Sequence, residues 1–293
     1  MLYVIFSNQI YVLYLFIIML ISATVKHYSM LDILVRKIRK IKDARIVVLI
    51  VSFISGILPI PGRVILSAGI LEMVANKTNR IKFGVIDYLS THHYYLWSPI
   101  EKSIIVPMAM LGITYGTMMS IIWPITLVSI LVPIIYIYFN IEKDDVIGEI
   151  EEPKQSISSY INYGLLAILS LVIVFGNIIK IYSPEIIGFL YSLGLTMDTF
   201  IGFSIISITA FIVSFLLGSS GKYSGIVGTL SLIYGIEYLL WFLAIEYIGY
   251  IISPAHKCLI IGKEYFGTPL KDYYLAIALL VIPIFVIALV LTL

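Results

Sequence analysis

Charged residues are sparse along this chain and they cluster, leaving apolar runs between them. Residues 2–24, 117–139, 159–181 and 272–293 are such runs, each about the 20 residues a helix needs to cross a hydrocarbon core of about 30 Å. Two more, 83–116 and 235–263, are long enough to cross but are interrupted at Ser98-Pro99 and Ser253-Pro254. Proline removes a backbone donor and drives the preceding residue out of helical geometry, so each is expected to be a helix broken at its centre. The stretches 46–75 and 199–234 contain helix-breaking tips and are expected to enter the membrane and return as re-entrant hairpins.

These irregular elements come in pairs. Tyr95-Leu-Trp-Ser98-Pro99-Ile-Glu101-Lys102-Ser103 matches Tyr250-Ile-Ile-Ser253-Pro254-Ala-His256-Lys257-Cys258. Upstream, Val51-Ser-Phe-Ile-Ser-Gly56 runs into Leu58-Pro59-Ile60-Pro61-Gly62-Arg63, and Val213-Ser-Phe-Leu-Leu-Gly218 runs into Ser219-Ser220-Gly221-Lys222. Each is an apolar arm reaching a helix-breaking tip with one cation. The order of arm, tip, second arm and broken helix is therefore duplicated, as in transporters built from inverted repeats. The expected fold is an all-α polytopic membrane protein of two inverted repeats, residues 1–139 and 159–293, joined by a linker at 140–158.

Charge orients this plan. Residues 25–45 interleave Lys26, Arg36, Lys37, Arg39, Lys40, Lys42 and Arg45 with Leu31, Ile33, Leu34, Ile38 and Ile41, a basic amphipathic segment suited to a membrane surface. By the positive-inside rule it faces the cytoplasm, with the N-terminus outside. Lys77, Arg80 and Lys82 lie beyond hairpin 46–75, so that hairpin returns to the side it left. The acidic linker 140–158 is the boundary between halves on the same inner side. Of the 19 Lys and Arg, all but Lys180 and four at membrane depth (Arg63, Lys102, Lys222, Lys257) fall in proposed inner connections. Three complete crossings per half invert the second half and leave the C-terminus outside.

Composition agrees: 60% hydrophobic residues and a mean hydropathy of +1.05 exceed the roughly 45–50% apolar content of soluble domains. The chain reads as a multi-pass protein of the cell membrane whose partner is the bilayer. A net charge of +2 offers no face for nucleic acid. The single cysteine, Cys258, excludes an internal disulfide and a cluster of cysteines about a metal. Residues 2–24 lack a basic leader and are expected to stay as a helix.

Candidate chemistry concentrates in the paired elements. A broken helix exposes N–H groups whose dipole favours an anion, and an added cation strengthens that preference. Pro61, Gly62 and Arg63 at one tip, and Ser220, Gly221 and Lys222 at the other, are therefore expected to meet an anionic solute. Snorkelling of both cations to a membrane surface is the plainer use. In the broken helices Ser98, Ser103, Ser253 and His256 offer polar contacts to solute, and the serine hydroxyls and freed carbonyls are oxygen ligands suited to sodium. Glu101 is the candidate proton carrier, with Asp87 a second acidic group for ion coupling; a structural ion pair of Glu101 with Lys102 competes with that role. Glu237 and Glu246 are cavity-lining candidates, Asp198 a helix cap. His92 and His93 are adjacent, point in different directions on a helix and make no chelating pair, so no metal site is expected. Tyrosine and tryptophan are expected to serve an interfacial belt and packing.

The chain resembles a prokaryotic membrane family known as domain of unknown function 401, related to the gluconate and citrate permeases of the ion-transporter superfamily. The resemblance rests on Gly56-Ile-Leu58-Pro59-Ile60-Pro61-Gly62, on Tyr88 and His92 with the aromatics up to Pro99, and on Ser253-Pro254-Ala-His256-Lys-Cys258-Leu with Glu264-Tyr265-Phe266. It covers about residues 44–270. The chain departs from the family pattern at Arg63, Thr91 and Tyr95. The resemblance implies the inverted-repeat transporter fold and organic-anion transport. Superfamily relatives are often dimeric, so it also raises a homodimer, which no residue pattern here carries.

The expected function is secondary transport of a small carboxylate coupled to H+ or Na+, with sodium the only cofactor in view. A cation antiporter using Glu101 and Asp87 is the alternative, and a non-transporting scaffold a third. An enzyme is not expected: no nucleophile, base and orienting acid stand at recognisable spacing around His92 or His256. Gly218-Ser-Ser-Gly-Lys222 lacks the four-residue gap of a nucleotide-binding loop.

Overall fold

The computed structural model describes residues 41, 43–57, 67, 71, 80–99, 101–143, 185, 188–218 and 220–293, and among these the secondary structure is entirely helical. The helices are α1 (Ala44–Ile57), α2 (Arg80–Ser90), α3 (Lys102–Leu111), α4 (Tyr115–Asn140), α5 (Phe200–Leu217), α6 (Ser220–Tyr234), α7 (Leu239–Ile252), α8 (Lys257–Phe266) and α9 (Leu270–Thr292). Short 3-10 turns stand at His93–Leu96 and Ile236–Tyr238. By length and composition four segments can cross a membrane: α4, α5, the Ile236–Phe266 segment holding α7 and α8, and α9. The expected spans 2–24 and 159–181, most of the basic segment 25–45, the first hairpin tip and nearly all of the linker 140–158 lie outside the described residues.

Sequence periodicity sorts these helices into layers. In α5 the buried positions Gly202, Ile206, Ser207, Ala210, Val213, Ser214 and Leu217 recur every three or four residues, one helical face. The opposite face, Phe200, Ile201, Ile205, Ile208, Ile212 and Leu216, is equally apolar yet exposed. The same holds for α9, with Tyr273, Ala276, Ile277, Leu280, Ile284 and Ala288 inside and Leu275, Leu279, Ile282, Val286 and Val290 outside. A helix apolar on both faces with one face uncovered suits lipid rather than water. In α7, by contrast, every residue from Leu239 to Ile251 is buried. The most apolar stretch of its segment is 78% buried, against 28% for α9. It is the central helix, packed by α5, α6, α9 and α4.

Close approach to α7 depends on small residues. Ser207 and Ser214 of α5 lie one heptad apart, where Trp241 Nε1 donates to Ser207 Oγ (2.7 Å) and Ser214 Oγ donates to the Glu246 carbonyl (2.7 Å). Gly249 faces the same seam, where a Cβ would stand 2.8 Å from Ser214 Cβ and 3.0 Å from the Phe211 carbonyl oxygen. Small side chains and interhelical hydrogen bonds are the means by which helices associate in a medium without a hydrophobic drive.

One end of the bundle gathers basic side chains. Arg45 Nε donates to the Ile141 carbonyl (2.7 Å), Lys82 Nζ to that of Asn140 (3.0 Å), and Ala44 N to that of Lys143 (3.0 Å). These are the last carbonyls of α4 and its exit, where cations complement the helix dipole. The α8–α9 turn is nearby, since a Cβ on Gly84 of α2 would meet Thr268 Oγ1 at 2.3 Å and Tyr273 OH at 2.6 Å. Arg45 and Lys82 therefore lie at the same end of the bundle.

Two expectations change in detail. Helix α5 is capped by Thr199, whose hydroxyl accepts from Gly202 N (3.1 Å), and not by Asp198, which instead accepts from Tyr238 OH (3.1 Å). The first break is also wider than Ser98-Pro99: α2 stops at Ser90 and α3 starts at Lys102. There Thr91 Oγ1 donates to the Asp87 carbonyl (2.6 Å) and His92 Nδ1 sits 2.5 Å from that of Tyr88. Side chains thus satisfy the end of α2 before the proline is reached.

Gly249→Ala is expected to overpack the α5–α7 seam and to cost about 1–3 kcal/mol, read as earlier thermal aggregation in detergent. Gly116→Ala, whose Cβ would find only Thr114 Oγ1 at 3.8 Å, is the control and is expected to leave that temperature unchanged.

Candidate functional site

The two broken segments meet at their breaks. A helix that stops inside an apolar bundle strands its last carbonyls, and no water is at hand to satisfy them. In the second segment Ser253, held extended (φ −62°, ψ 127°) before Pro254, ends α7. The carbonyl of Ile251 then accepts from Tyr88 OH at 2.6 Å, and that of Ile252 from Tyr274 OH at 3.3 Å. In the first segment the carbonyls of Tyr95, Leu96 and Trp97 accept from Ser103 Oγ (2.6 Å), Thr126 Oγ1 (2.9 Å) and Tyr115 OH (2.5 Å). Hydroxyls from neighbouring helices thus replace the missing backbone donors.

This arrangement brings two histidines from opposite halves together. His92 follows α2, and His256 occupies the N-cap of α8. Their Nε2 atoms are 3.0 Å apart, and both rings are buried. His92 Nδ1 faces the Tyr88 carbonyl at 2.5 Å and His256 Nδ1 that of Tyr250 at 3.0 Å. Carbonyl oxygens only accept, so each Nδ1 carries a hydrogen, and the two Nε2 atoms face each other across a gap that one proton or one cation can bridge. Tyr88 and Tyr250 enclose the pair, with Tyr250 4.1 Å from the His256 ring centroid and Tyr88 4.7 Å from that of His92. His93 diverges, stacking on Phe53 at 4.2 Å and accepting from Trp97 Nε1 at 2.9 Å.

Two carboxyl groups are buried on the helices that lead into the breaks, Asp87 on α2 and Glu246 on α7. Tyr95 OH donates to Glu246 Oε1 of α7 in a short hydrogen bond, while Oε2 of Glu246 has no hydrogen-bond partner. Both oxygens of Asp87, on α2, are buried without one as well; Ser67 is the hydroxyl that faces them. Among the residues whose side chains are described no lysine or arginine is buried, so neither carboxylate gains a buried cation from those, and an uncompensated one costs several kcal/mol.

The remaining sequence candidates separate. Glu101 is the N-cap of α3 (φ −86°, ψ 140°), the position His256 holds for α8 (φ −69°, ψ 113°), but it is only half-buried. Ser98 is buried at the first break. Ser103 spends its hydrogen on Tyr95 O, and Ser253 donates to Phe215 O (2.6 Å) while accepting from Ala255 N (3.2 Å). Lys102 and Lys257 are exposed. Pro61, Gly62 and Arg63 lie outside the described residues, and Ser220, Gly221 and Lys222 open α6 with side chains that also lie outside them. Gly218, left-handed (φ 51°), sets the tip against the second break, because a Cβ there would stand 2.9 Å from Ser253 Oγ and 3.0 Å from Ala255 Cβ. Sequence reasoning had Glu246 as a lining residue but missed its partner Tyr95 and the role of Tyr88; a lone carboxylate within fourteen otherwise apolar α7 residues was the signal.

Tyr95→Phe removes the one donor to Glu246 and is expected to cost about 1–3 kcal/mol, the desolvation of an orphaned oxygen. Adding Glu246→Met to it should return part of that loss, so the double variant is less destabilised than the sum of the singles. Thermal unfolding of the four proteins in detergent reads the cycle.

A family model described as "Protein of unknown function (DUF401)" matches residues 1–183, which includes the first break and ends before the second. Neither a curated protein nor a solved structure matches the chain. No match links it to gluconate or citrate permeases. Since the matched stretch exceeds half of the 293 residues, the chain belongs to the DUF401 family of proteins of unknown function.

Proposed function

We propose that this protein is a secondary transporter in the cell membrane, built from two inverted repeats, that moves a small organic anion together with H+ or Na+. The observation carrying this reading is the meeting of two broken segments from opposite halves, His92 against His256, at the core of an otherwise apolar bundle. Broken helices lining one centre are the binding architecture of inverted-repeat transporters. Buried ionisable groups such as Asp87 and Glu246 are costly in such a setting and are retained where ions or solutes pass.

The halves correspond in local plan. α2 and α3 flank the first break as α7 and α8 flank the second, and α3 and α8 both end on left-handed glycines, Gly112 and Gly267. α2 packs on α8, and α3 on α6 of the second arm pair. The gathering of Arg45, Lys82 and the end of α4 at one face supports a cytoplasmic side there, with segment 46–75 as a hairpin and α5 and α6 as its counterpart. At 18 residues, α5 is longer than a half-span.

Solute charge is inferred from Arg63 and Lys222 at the tips, with Asp87 and Glu101 the coupling groups. Cation exchange is the second reading, favoured by two buried carboxyl groups, Asp87 and Glu246, with no buried lysine or arginine among the residues whose side chains are described.

Purified protein in liposomes, challenged with carboxylates and sugar acids under pH and sodium gradients, tests this. Saturable uptake of an anion is expected, reduced at least about tenfold in Arg63→Ala, the order of effect of a lost charged contact, and uncoupled from the pH gradient in Asp87→Asn or Glu101→Gln. Cation-for-proton exchange that survives Arg63→Ala and stops in Asp87→Asn would replace anion transport by the second reading. No flux of any kind would overturn both.

A further inference from the structure

The two broken segments bring two imidazole nitrogens within 3.0 Å of each other, and the other nitrogen of each ring is spent on a carbonyl, so a proton or a metal ion is what can lie between them. A third donor stands beside it. Cys258, two residues after His256 in the first turn of α8, is half-buried, and its Sγ and the ligand nitrogens of His92 and His256 all lie within 4.8 Å of one another. We propose that His92, His256 and Cys258 form a binding site for a transition-metal ion of the thiophilic, imidazole-accepting class, Zn(II) or Cu(I).

Three features fit a metal, and the third sets it apart from a proton held between the rings. Metal-ligating histidines characteristically donate the other ring N–H to a carbonyl or carboxylate, which fixes the tautomer; both rings do so, to Tyr88 O and Tyr250 O. Two nitrogens at tetrahedral angles on zinc, each about 2.0–2.1 Å from it, lie about 3.3 Å apart, so the observed 3.0 Å needs only a few tenths of an ångström. A shared proton needs no third ligand, whereas a sulfur beside two imidazoles is the donor set that selects zinc and Cu(I) over magnesium, calcium or sodium. The thiol is the ligand that must swing in: zinc–sulfur bonds of about 2.3 Å put sulfur about 3.6 Å from each nitrogen, a movement open to a half-buried side chain. On zinc binding the thiol loses its proton to solvent, and the filled site carries one net positive charge. Tyr88 and Tyr250 shield the imidazoles, and the exposed side of Cys258 leaves an approach and a fourth position for water or solute.

The site joins the two breaks, 164 residues apart in sequence, and does not depend on the transport reading. Its test is equilibrium binding. Full-length protein in detergent, stripped with chelator, is dialysed against Zn(II) or Co(II), and bound metal is measured by mass spectrometry. About one equivalent of Zn(II) per chain is expected, with Co(II) giving tetrahedral visible bands and a thiolate-to-cobalt charge-transfer band. Cys258→Ser should abolish the charge-transfer band and weaken binding at least about tenfold, and His92→Gln/His256→Gln should reduce bound metal to background. Cys258→Ser changes a half-buried side chain almost isosterically, so it keeps the test decisive if the histidine variant fails to fold. Less than a tenth of an equivalent in the parent protein, or a Co(II) spectrum unchanged in Cys258→Ser, overturns the proposal and leaves the histidine pair to a shared proton.

Discussion

Every break in a membrane helix strands carbonyl oxygens that lipid cannot satisfy, and the arrangement at the centre of this protein follows from answering that need. Tyr88, Tyr274, Tyr115, Thr126 and Ser103 each give a hydroxyl hydrogen to a carbonyl freed at one of the two breaks. These donors come from other helices, so each bond that closes a gap also ties two elements together. Tyr88 is the clearest case: it belongs to the first broken segment and satisfies the second. Part of the tyrosine content that composition assigns to an interfacial belt is thus spent on interior backbone.

The same economy explains the layering. α7 can be buried on all sides because its neighbours reach it with serine, glycine and alanine, while α4, α5 and α9 turn uniform apolar faces outward. Many of the buried polar groups stand at the breaks and the α5–α7 seam. Most of those are matched, and among the described buried atoms without a hydrogen-bond partner the carboxyl oxygens are both of Asp87 and one of Glu246. An unmatched carboxyl group costs more than an unmatched hydroxyl, so Asp87 and Glu246 are where chemistry is to be sought.

Long, unbroken apolar runs were legible almost to the residue: 117–139 falls on Tyr115–Asn140, and 272–293 on Leu270–Thr292. The second break was equally plain, since Pro254 is the one proline in the run 235–263 and nothing else competes. The first was blurred because Thr91 and His92 end α2 through their side chains, a tertiary event with no hydrophobic period to betray it. Sequence also matched Glu101 with His256, and both are N-caps, yet burial separates them. What could not be read at all was the pairing of His92 with His256. Local spacing judges His92 against His93, whereas the partner arrives from the other half of the chain through the packing of α2 on α8.

Gly218 carries a mechanical consequence. The turn between α5 and α6 sits so close to Ser253 and Ala255 that not even a methyl group would fit, and Ser253 is bonded to the Phe215 carbonyl just before that turn. There is no slack at this joint. A displacement of the α5 tip is carried directly into the gap between α7 and α8, and through Tyr88 and His256 onward into the first broken segment. Tip and gap behave as a single lever, with its fulcrum at a residue that has no side chain.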